Sequence, residues 1–253
     1  MRLSERKNSV NILAIETTGI TGSIAFLSQS DPPLSRCLPQ DLRSAESLLP
    51  AIERLLADGQ IDRGRIDRIA VAVGPGSFTG LRVGVTCANI LAWGLSCSGK
   101  KVDLVGVDTL QAMALGAAQR PLPNAPEGFV VSAGLDAQRR EVTAREFLIT
   151  PGAAIPLEPG FRLIGTEQWL CAPKERRMPD GRTFPLFFLG KAPARRPEFE
   201  DRFLPPTQTP LSAMVAKLGR DLSASPRALR PVYSRLSAAE EKLAQKSAGA
   251  ESK

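Results

Sequence analysis

Between Asp67 and Leu95 the chain reads DRIAVAVGPGSFTGLRVGVTCANILAWGL, and that order of residue types leaves few folds open. Ile69 to Val73 is a short, β-branched run suited to a buried strand. Gly74-Pro75-Gly76-Ser77-Phe78-Thr79-Gly80 then places three glycines in a tight loop, where backbone must pass close to something. After it the apolar spacing turns helical and continues to about Leu95. Strand, glycine loop and helix together present backbone N–H groups at a positive helix end, an arrangement able to hold phosphate.

The helix carries the stronger constraint. At about 100° per residue, Leu81, Val85, Ala88, Ala92 and Leu95 share one side, which is expected to face the sheet. Val83, Gly84, Cys87, Ile90, Leu91 and Gly94 continue the apolar or small surface around the back, interrupted by Arg82, Thr86 and Asn89, with Trp93 among them. This arc is roughly twice the stripe that a surface helix needs. Either the chain's own domain buries the helix all round, or Val83, Thr86, Cys87, Ile90 and Trp93 face a partner. Gly80, Gly84 and Ala88 also recur every four residues, so another backbone can approach closely. A membrane span is not expected, because the apolar run is short and Arg82 and Asn89 interrupt it.

Upstream, Val10 to Gly19 reads as a buried strand entering a small-residue turn at Thr17 and Thr18, and Thr21 to Ser28 returns as its hairpin partner. Pro32 to Pro39 fits an edge strand at most. Ser44 to Asp58 predicts a helix with Leu48, Leu49, Ile52, Leu55 and Leu56 on one face, and Pro50 either kinks it or marks its first turn. Downstream, Lys101 to Asp108 is a strand and Thr109 is expected to cap a helix to about Ala118. Arg120 to Gly128, with three prolines, is the best domain boundary. Phe129 to Asp136 and Val142 to Ile149 read as paired strands, Pro151 to Phe161 as a proline-rich excursion, and Thr166 to Cys171 as a short helix. A strand over Phe184 to Leu189 and a helix over Ser212 to Leu222 follow. Ser237 to Lys253 reads as a frayed or flexible polar tail, and no internal repeat is visible.

Several chemistries are excluded by composition. The chain of 253 residues contains no histidine, which removes a Ser-His-Asp triad, a Cys-His pair and any His-bridged metal site. Cys37, Cys87, Cys97 and Cys171 are scattered without a CxxC pair, so neither zinc nor a disulfide framework is indicated, and a reducing cytoplasm fits. The polar, basic start to Ser9 is followed by too short an apolar run for a signal peptide. The net charge is +7, yet residues 1–170 hold 17 Lys/Arg against 17 Asp/Glu, so the excess lies beyond. Lys174-Glu-Arg-Arg177, Arg195-Arg196 and Arg227 to Arg235 are the basic stretches; they are either a solubilising face or a surface for RNA phosphates. Candidate acids and bases reduce to Glu16, Asp108, Asp136 and Glu141, each at a strand end where turns and caps also favour carboxylates.

Gly74-Pro-Gly-Ser-Phe-Thr-Gly-Leu-Arg82-x-Gly84 is similar to the signature of the TsaB (YeaZ) family. Ser44-Ala-Glu-Ser-Leu-Leu-Pro50, Gly106-Val-Asp-Thr-Leu110, Leu135-Asp-Ala-Gln-Arg-Arg-Glu-Val142 and Pro231-Val-Tyr233-Ser-Arg235 resemble further family stretches in the same order. Ser44 stands where a histidine is common, Thr143 replaces a usual tyrosine, and Gly190-Lys191-Ala192 lacks the second glycine of a family turn. The strand ending Glu16-Thr17-Thr18-Gly19 is similar to the first phosphate loop of the actin, Hsp70 and sugar-kinase fold, with Glu16 in place of its Asp.

The resemblance implies an α/β, actin-like (ASKHA, ribonuclease-H-like) two-domain fold with mixed central sheets. The expected units are residues 1–118, a degenerate second domain over 119–236, and the tail 237–253. It also implies a non-catalytic scaffold in the synthesis of threonylcarbamoyladenosine beside the tRNA anticodon. The expected partners are a TsaD-type catalytic subunit, a TsaE-type ATPase at the shared interface and a second copy when the chain is alone, with tRNA met only through the complex. The docking surface would combine Leu48, Leu49, Ile52, Leu55 and Leu56 with Val83, Thr86, Cys87, Ile90 and Trp93. Thr17, Thr18, Gly76 and Ser77 would be vestigial phosphate loops, with no cofactor and no metal. The alternative is an ATP-dependent phosphotransferase of the same fold, against which Glu16 and Gly190-Lys-Ala both stand.

Overall fold

The computed structural model describes residues 10–19, 21–28, 32–39, 45–97, 99–119, 128–190 and 197–235. The polar N-terminus, most of the expected boundary stretch, Arg195-Arg196 and the tail lie outside the described residues.

Strands β1 (Ile12–Glu16), β2 (Ser23–Leu27), β3 (Leu34–Cys37), β4 (Arg68–Gly74) and β5 (Asp103–Asp108) form a five-stranded sheet ordered β3-β2-β1-β4-β5. β1 and β2 pair antiparallel, with Leu13 opposite Phe26. β4 returns parallel to β1, with Leu13 beside Ile69, and β5 adds parallel to β4. The second sheet holds β6 (Phe129–Asp136), β7 (Glu141–Thr150), β8 (Ala153–Pro156), β9 (Arg162–Gly165), β10 (Glu175–Arg177) and β11 (Thr183–Gly190). Its order is β10-β11-β6-β7-β8, and β9 also pairs with β7. The stretch expected as a proline-rich excursion therefore contains β8, because Ala153 to Pro156 pairs as an edge strand with Phe147 to Thr150.

The second sheet repeats the plan of the first. β6 and β7 form an antiparallel hairpin and β11 returns parallel to β6. Where the first sheet adds β5, the second adds a single parallel bridge between Phe188 and Phe203. This mixed, twice-used plan is the actin-like architecture expected from the sequence, and the reduction of the last strand leaves the second sheet the poorer copy.

The helices are α1 (Ala45–Asp58), α2 (Phe78–Ser96), α3 (Thr109–Ala117), α4 (Thr166–Leu170) and α5 (Leu211–Asp221). Because side chains alternate along a strand, Leu13, Ile15, Ile69 and Val71 meet α1 and α2 on one face of the first sheet. Ile12, Ala14, Ala70 and Ala72 meet α3 and α5 on the other, and Val131, Ala133, Phe147 and Ile149 of the second sheet close the same core. α3 and α5 thus lie between the sheets, and α5, from far beyond residue 118, packs on β1 and β2. Trp169 and Leu170 of α4 cover the outer face of the second sheet against Phe184, Leu186 and Phe188. Two-sided burial explains why β1, β4 and β6 read as unbroken apolar runs.

By length and composition alone α2 could cross a membrane. Its place in the fold is nevertheless on the sheet: Leu81, Val85, Ala88 and Ala92 are buried, as the sequence predicts, and Leu95 is half-buried.

Candidate functional site

The glycine loop is shorter than the sequence suggests. Ser77 is the N-cap of α2 and its Oγ accepts from the Gly80 N–H at 3.4 Å, so Phe78, Thr79 and Gly80 already belong to the helix. This loop packs directly on the β1–β2 turn. Ser77 N donates to the Thr18 carbonyl at 3.1 Å, and Thr17 Oγ1 donates to the Gly80 carbonyl at 2.7 Å. A Cβ on Gly76 would collide with Thr18, one on Gly80 with the Thr17 carbonyl, and one on Gly84 with Thr17 Oγ1. The glycines serve this loop-on-loop contact, which brings Thr17, Thr18, Gly76 and Ser77 together.

Glu16 completes that closure. It is buried, and its Oε1 accepts from Thr18 N and Thr18 Oγ1 at 2.5 Å each and from Gly19 N at 3.1 Å. Burial pushes its carboxyl above the ordinary range, outweighing the downward pull of those donors. An acid enclosed in this way organises its own turn.

The other candidate carboxylates do not converge either. Asp108, not Thr109, caps α3, because its Oδ1 accepts from Leu110 N and Gln111 N, while its Oδ2 pairs with Arg145 Nη1 at 2.5 Å. Asp136 Oδ1 accepts from Gln138 N in the hairpin turn. Glu141 forms an ion pair with Arg235. Among the described residues no cluster of acids and cysteines could hold a metal. All four cysteines are free, and burial pushes the Cys87 thiol up to about 11.

Sequence reading missed a C-terminal strap. Ser225 N donates to the Leu104 carbonyl, Asn89 exchanges two hydrogen bonds with the Leu229 backbone at 3.0 and 2.9 Å, and Val232 N donates to the Val73 carbonyl at 2.7 Å. Tyr233 stacks on Phe78 at 4.6 Å and its hydroxyl accepts from Arg82 Nε at 3.1 Å. Two family-like motifs some 150 positions apart are thereby joined. Asn89, an unexplained polar break in the helical pattern, was the available signal.

The expected docking residues divide. Leu48, Ile52, Leu55, Leu56 and Cys87 are not surface: they are buried against Leu13, Ile15 and Val71 of the chain's own core. The reason is that α1 lies flat on the sheet beside α2, so its leucine face points inward. Leu49 remains 42% exposed, Val83 is half-buried, and Thr86 is exposed. Ile90 and Trp93 stand out at 57% and 72% exposure. Arg82, Thr86, Ile90 and Trp93 follow one another at helical spacing, so they form a single exposed stripe along α2.

Comparison with known proteins bears on this geometry. The chain is 33% identical over 105 residues to the tRNA threonylcarbamoyladenosine biosynthesis protein TsaB of Bacillus subtilis, covering 42% of this chain and 44% of that one. It is 31% identical over 134 residues to the same-named protein of Haemophilus influenzae, covering 53% and 52%. These findings support the TsaB (YeaZ) family. The chain spans about half the length of the curated TsaB relatives it matches. The family model of TsaD, tRNA N6-adenosine threonylcarbamoyltransferase, matches residues 41–146, from before α1 into β7. Among solved structures, a Pseudomonas aeruginosa protein described as similar to peptidase YEAZ superposes with a TM-score of 0.66 at 22% identity, over 89% of this chain and 100% of that one. YeaZ of the same organism gives 0.61 at 22% identity, over 83% and 90%. Both agree with the TsaB-like fold.

Proposed function

We propose that this chain is a non-catalytic accessory subunit in tRNA threonylcarbamoyladenosine synthesis that docks a TsaD-type catalytic subunit along the exposed stripe of α2. The observation that carries the reading is the exposure of Ile90 and Trp93 on a helix whose other faces are covered by the sheet, α1 and the strap. Large apolar side chains left in water in this way gain by being covered. The match of a TsaD family model to the segment containing α1 and α2 supports a partner built from equivalent helices, so that a second copy covers the patch when the partner is absent. Glu16, closed on its own turn, and the self-packed glycine loops support an accessory role over the phosphotransferase alternative. A TsaE-type ATPase would act at the shared interface, in the cytoplasm, and the units 1–118 and 119–236 would together make one scaffold.

Size-exclusion chromatography with light scattering tests this. The chain alone is expected to elute as a dimer and, with the TsaD-type protein of the same cell, as a heterodimer. Two separate peaks in the mixture would overturn the reading.

A further inference from the structure

The strap is fastened to both sheets yet shallowly seated. From Ser223 to Arg235 no residue is fully buried, so the segment belongs to the part of the fold that opens without global unfolding. Arg68 Nη1, at the start of β4, donates to the carbonyls of Gly219, Arg220 and Leu222 at 2.8, 3.0 and 3.0 Å, which fixes where the strap begins. Ser225 is then fastened at Leu104, Leu229 at Asn89, Val232 at Val73, and Tyr233 at Phe78 and Arg82. Arg235 ends the run with an ion pair to Glu141 at the start of β7, and its side chain is only 20% exposed. Glu141 stands on a fixed footing. The turn before it holds Gln138, Arg139 and Arg140 in left-handed backbone, with Ala137 N donating to the Glu141 carbonyl and Thr166 N to the Arg140 carbonyl. A non-glycine run of this kind persists only where its surroundings enforce it.

Tyr233 orders two side chains at the head of α2. Its ring stacks on Phe78, its hydroxyl accepts from Arg82 Nε, and the Arg82 guanidinium lies 4.1 Å over the Phe78 ring. Arg235 follows only two residues later, and Pro226 and Pro231 limit the bending of the segment itself. A release at Glu141 therefore reaches Tyr233 instead of being absorbed by slack chain. We propose that the strap couples the second sheet to the docking face: the Glu141–Arg235 ion pair positions Phe78 and Arg82 through Tyr233, and so sets the affinity of α2 for its partner. The inference rests on the reading of α2 as a docking face, and Glu141 and Arg235 are positioning residues within it. Side chains already ordered lose less freedom on docking, so an attached strap favours binding. By linkage, docking favours the attached strap to the same extent.

Native-state amide exchange of the full chain, read by NMR at Leu229 and Val232, is the first test, since both amides are bonded in the attached strap. Arg235→Gln should speed both by about tenfold while the amides of β4 keep their wild-type rates. Arg235→Lys, which retains the charge, should recover most of the protection. Unchanged exchange at Leu229 in Arg235→Gln, or equal acceleration throughout β4, would overturn the coupling. The second test is calorimetric titration with the TsaD-type protein. Arg235→Gln and Glu141→Gln should each weaken binding by about tenfold with a thermal melt close to that of the wild type. Wild-type affinity in both variants would overturn the link to docking. If the wild type itself does not bind, the docking reading fails, and the link to docking fails with it; the exchange rates still decide whether the strap opens as one unit.

Discussion

Leu48 and Leu49 are neighbours in α1 with opposite surroundings, and truncating each to alanine separates core from surface. Leu48 is 1% exposed and sits among Leu13, Ile24, Ile52 and Val85 in the core under α1 and α2. Leu48→Ala removes its buried methyl groups and leaves a cavity that sheet and helix cannot refill, which costs about 2–5 kcal/mol. Leu49 keeps 42% of its surface in water, so Leu49→Ala forfeits only part of the transfer free energy, about 1 kcal/mol. Alanine's slightly better helix propensity offsets a few tenths of that. Urea denaturation followed by circular dichroism should show a large drop in midpoint for Leu48→Ala and a small one for Leu49→Ala, with similar slopes. In a binding titration with the TsaD-type protein at a temperature where both variants are folded, the order should reverse. Equal destabilisation by the two would refute the division of α1 into an inward and an outward face.

Glu16 and the strap supply further expectations. A carboxyl whose folded pKa is raised above its ordinary 4.5 stabilises the fold below that value and loses the contribution as pH rises through the folded pKa. Glu16→Gln removes the ionisation, so the stability of the wild type relative to the variant should decline as pH rises from about 4.5; a constant difference between pH 4 and 8 would contradict the assigned burial. Asn89→Ala deletes both side-chain hydrogen bonds to Leu229, costing about 1–3 kcal/mol, and should speed native-state tryptic cleavage after Arg227. A cleavage rate equal to wild type would mean that the strap is held elsewhere.

The elements with strong patterns were readable from the chain. Ile69 to Val73 and Phe129 to Asp136 are apolar on both faces because each is covered on both sides, and the α2 side carrying Leu81, Val85, Ala88 and Ala92 does face the sheet. The α1 leucines were misread as surface because periodicity defines a face without saying what covers it. Residues 44–58 look the same whether the leucine face meets a partner or the chain's own sheet. β8 and β10 were invisible for a different reason: they are short edge strands whose pairing supplies the order that their residue types do not. The left-handed run at Gln138-Arg139-Arg140 has no glycine or asparagine to announce it, since hydrogen bonds from Thr166 and within the turn impose it. The meeting of Tyr233 with Phe78 and Arg82 likewise depends on a chain path no local pattern encodes.

The central claim is that the exposed α2 stripe is a docking face, and Ile90→Arg tests it most directly. Ile90 is 57% exposed, so an arginine there is hydrated in the free chain and must shed that water when the face is covered, at a cost of several kcal/mol. The measurement is calorimetric titration of Ile90→Arg with the TsaD-type protein, alongside its thermal melt. The expected result is a cooperative melt close to that of the wild type, with binding lost or weakened at least a hundredfold, equivalent to about 2.7 kcal/mol. A variant that melts normally and binds with wild-type affinity would place the docking face elsewhere, and one that unfolds would make that side of α2 core.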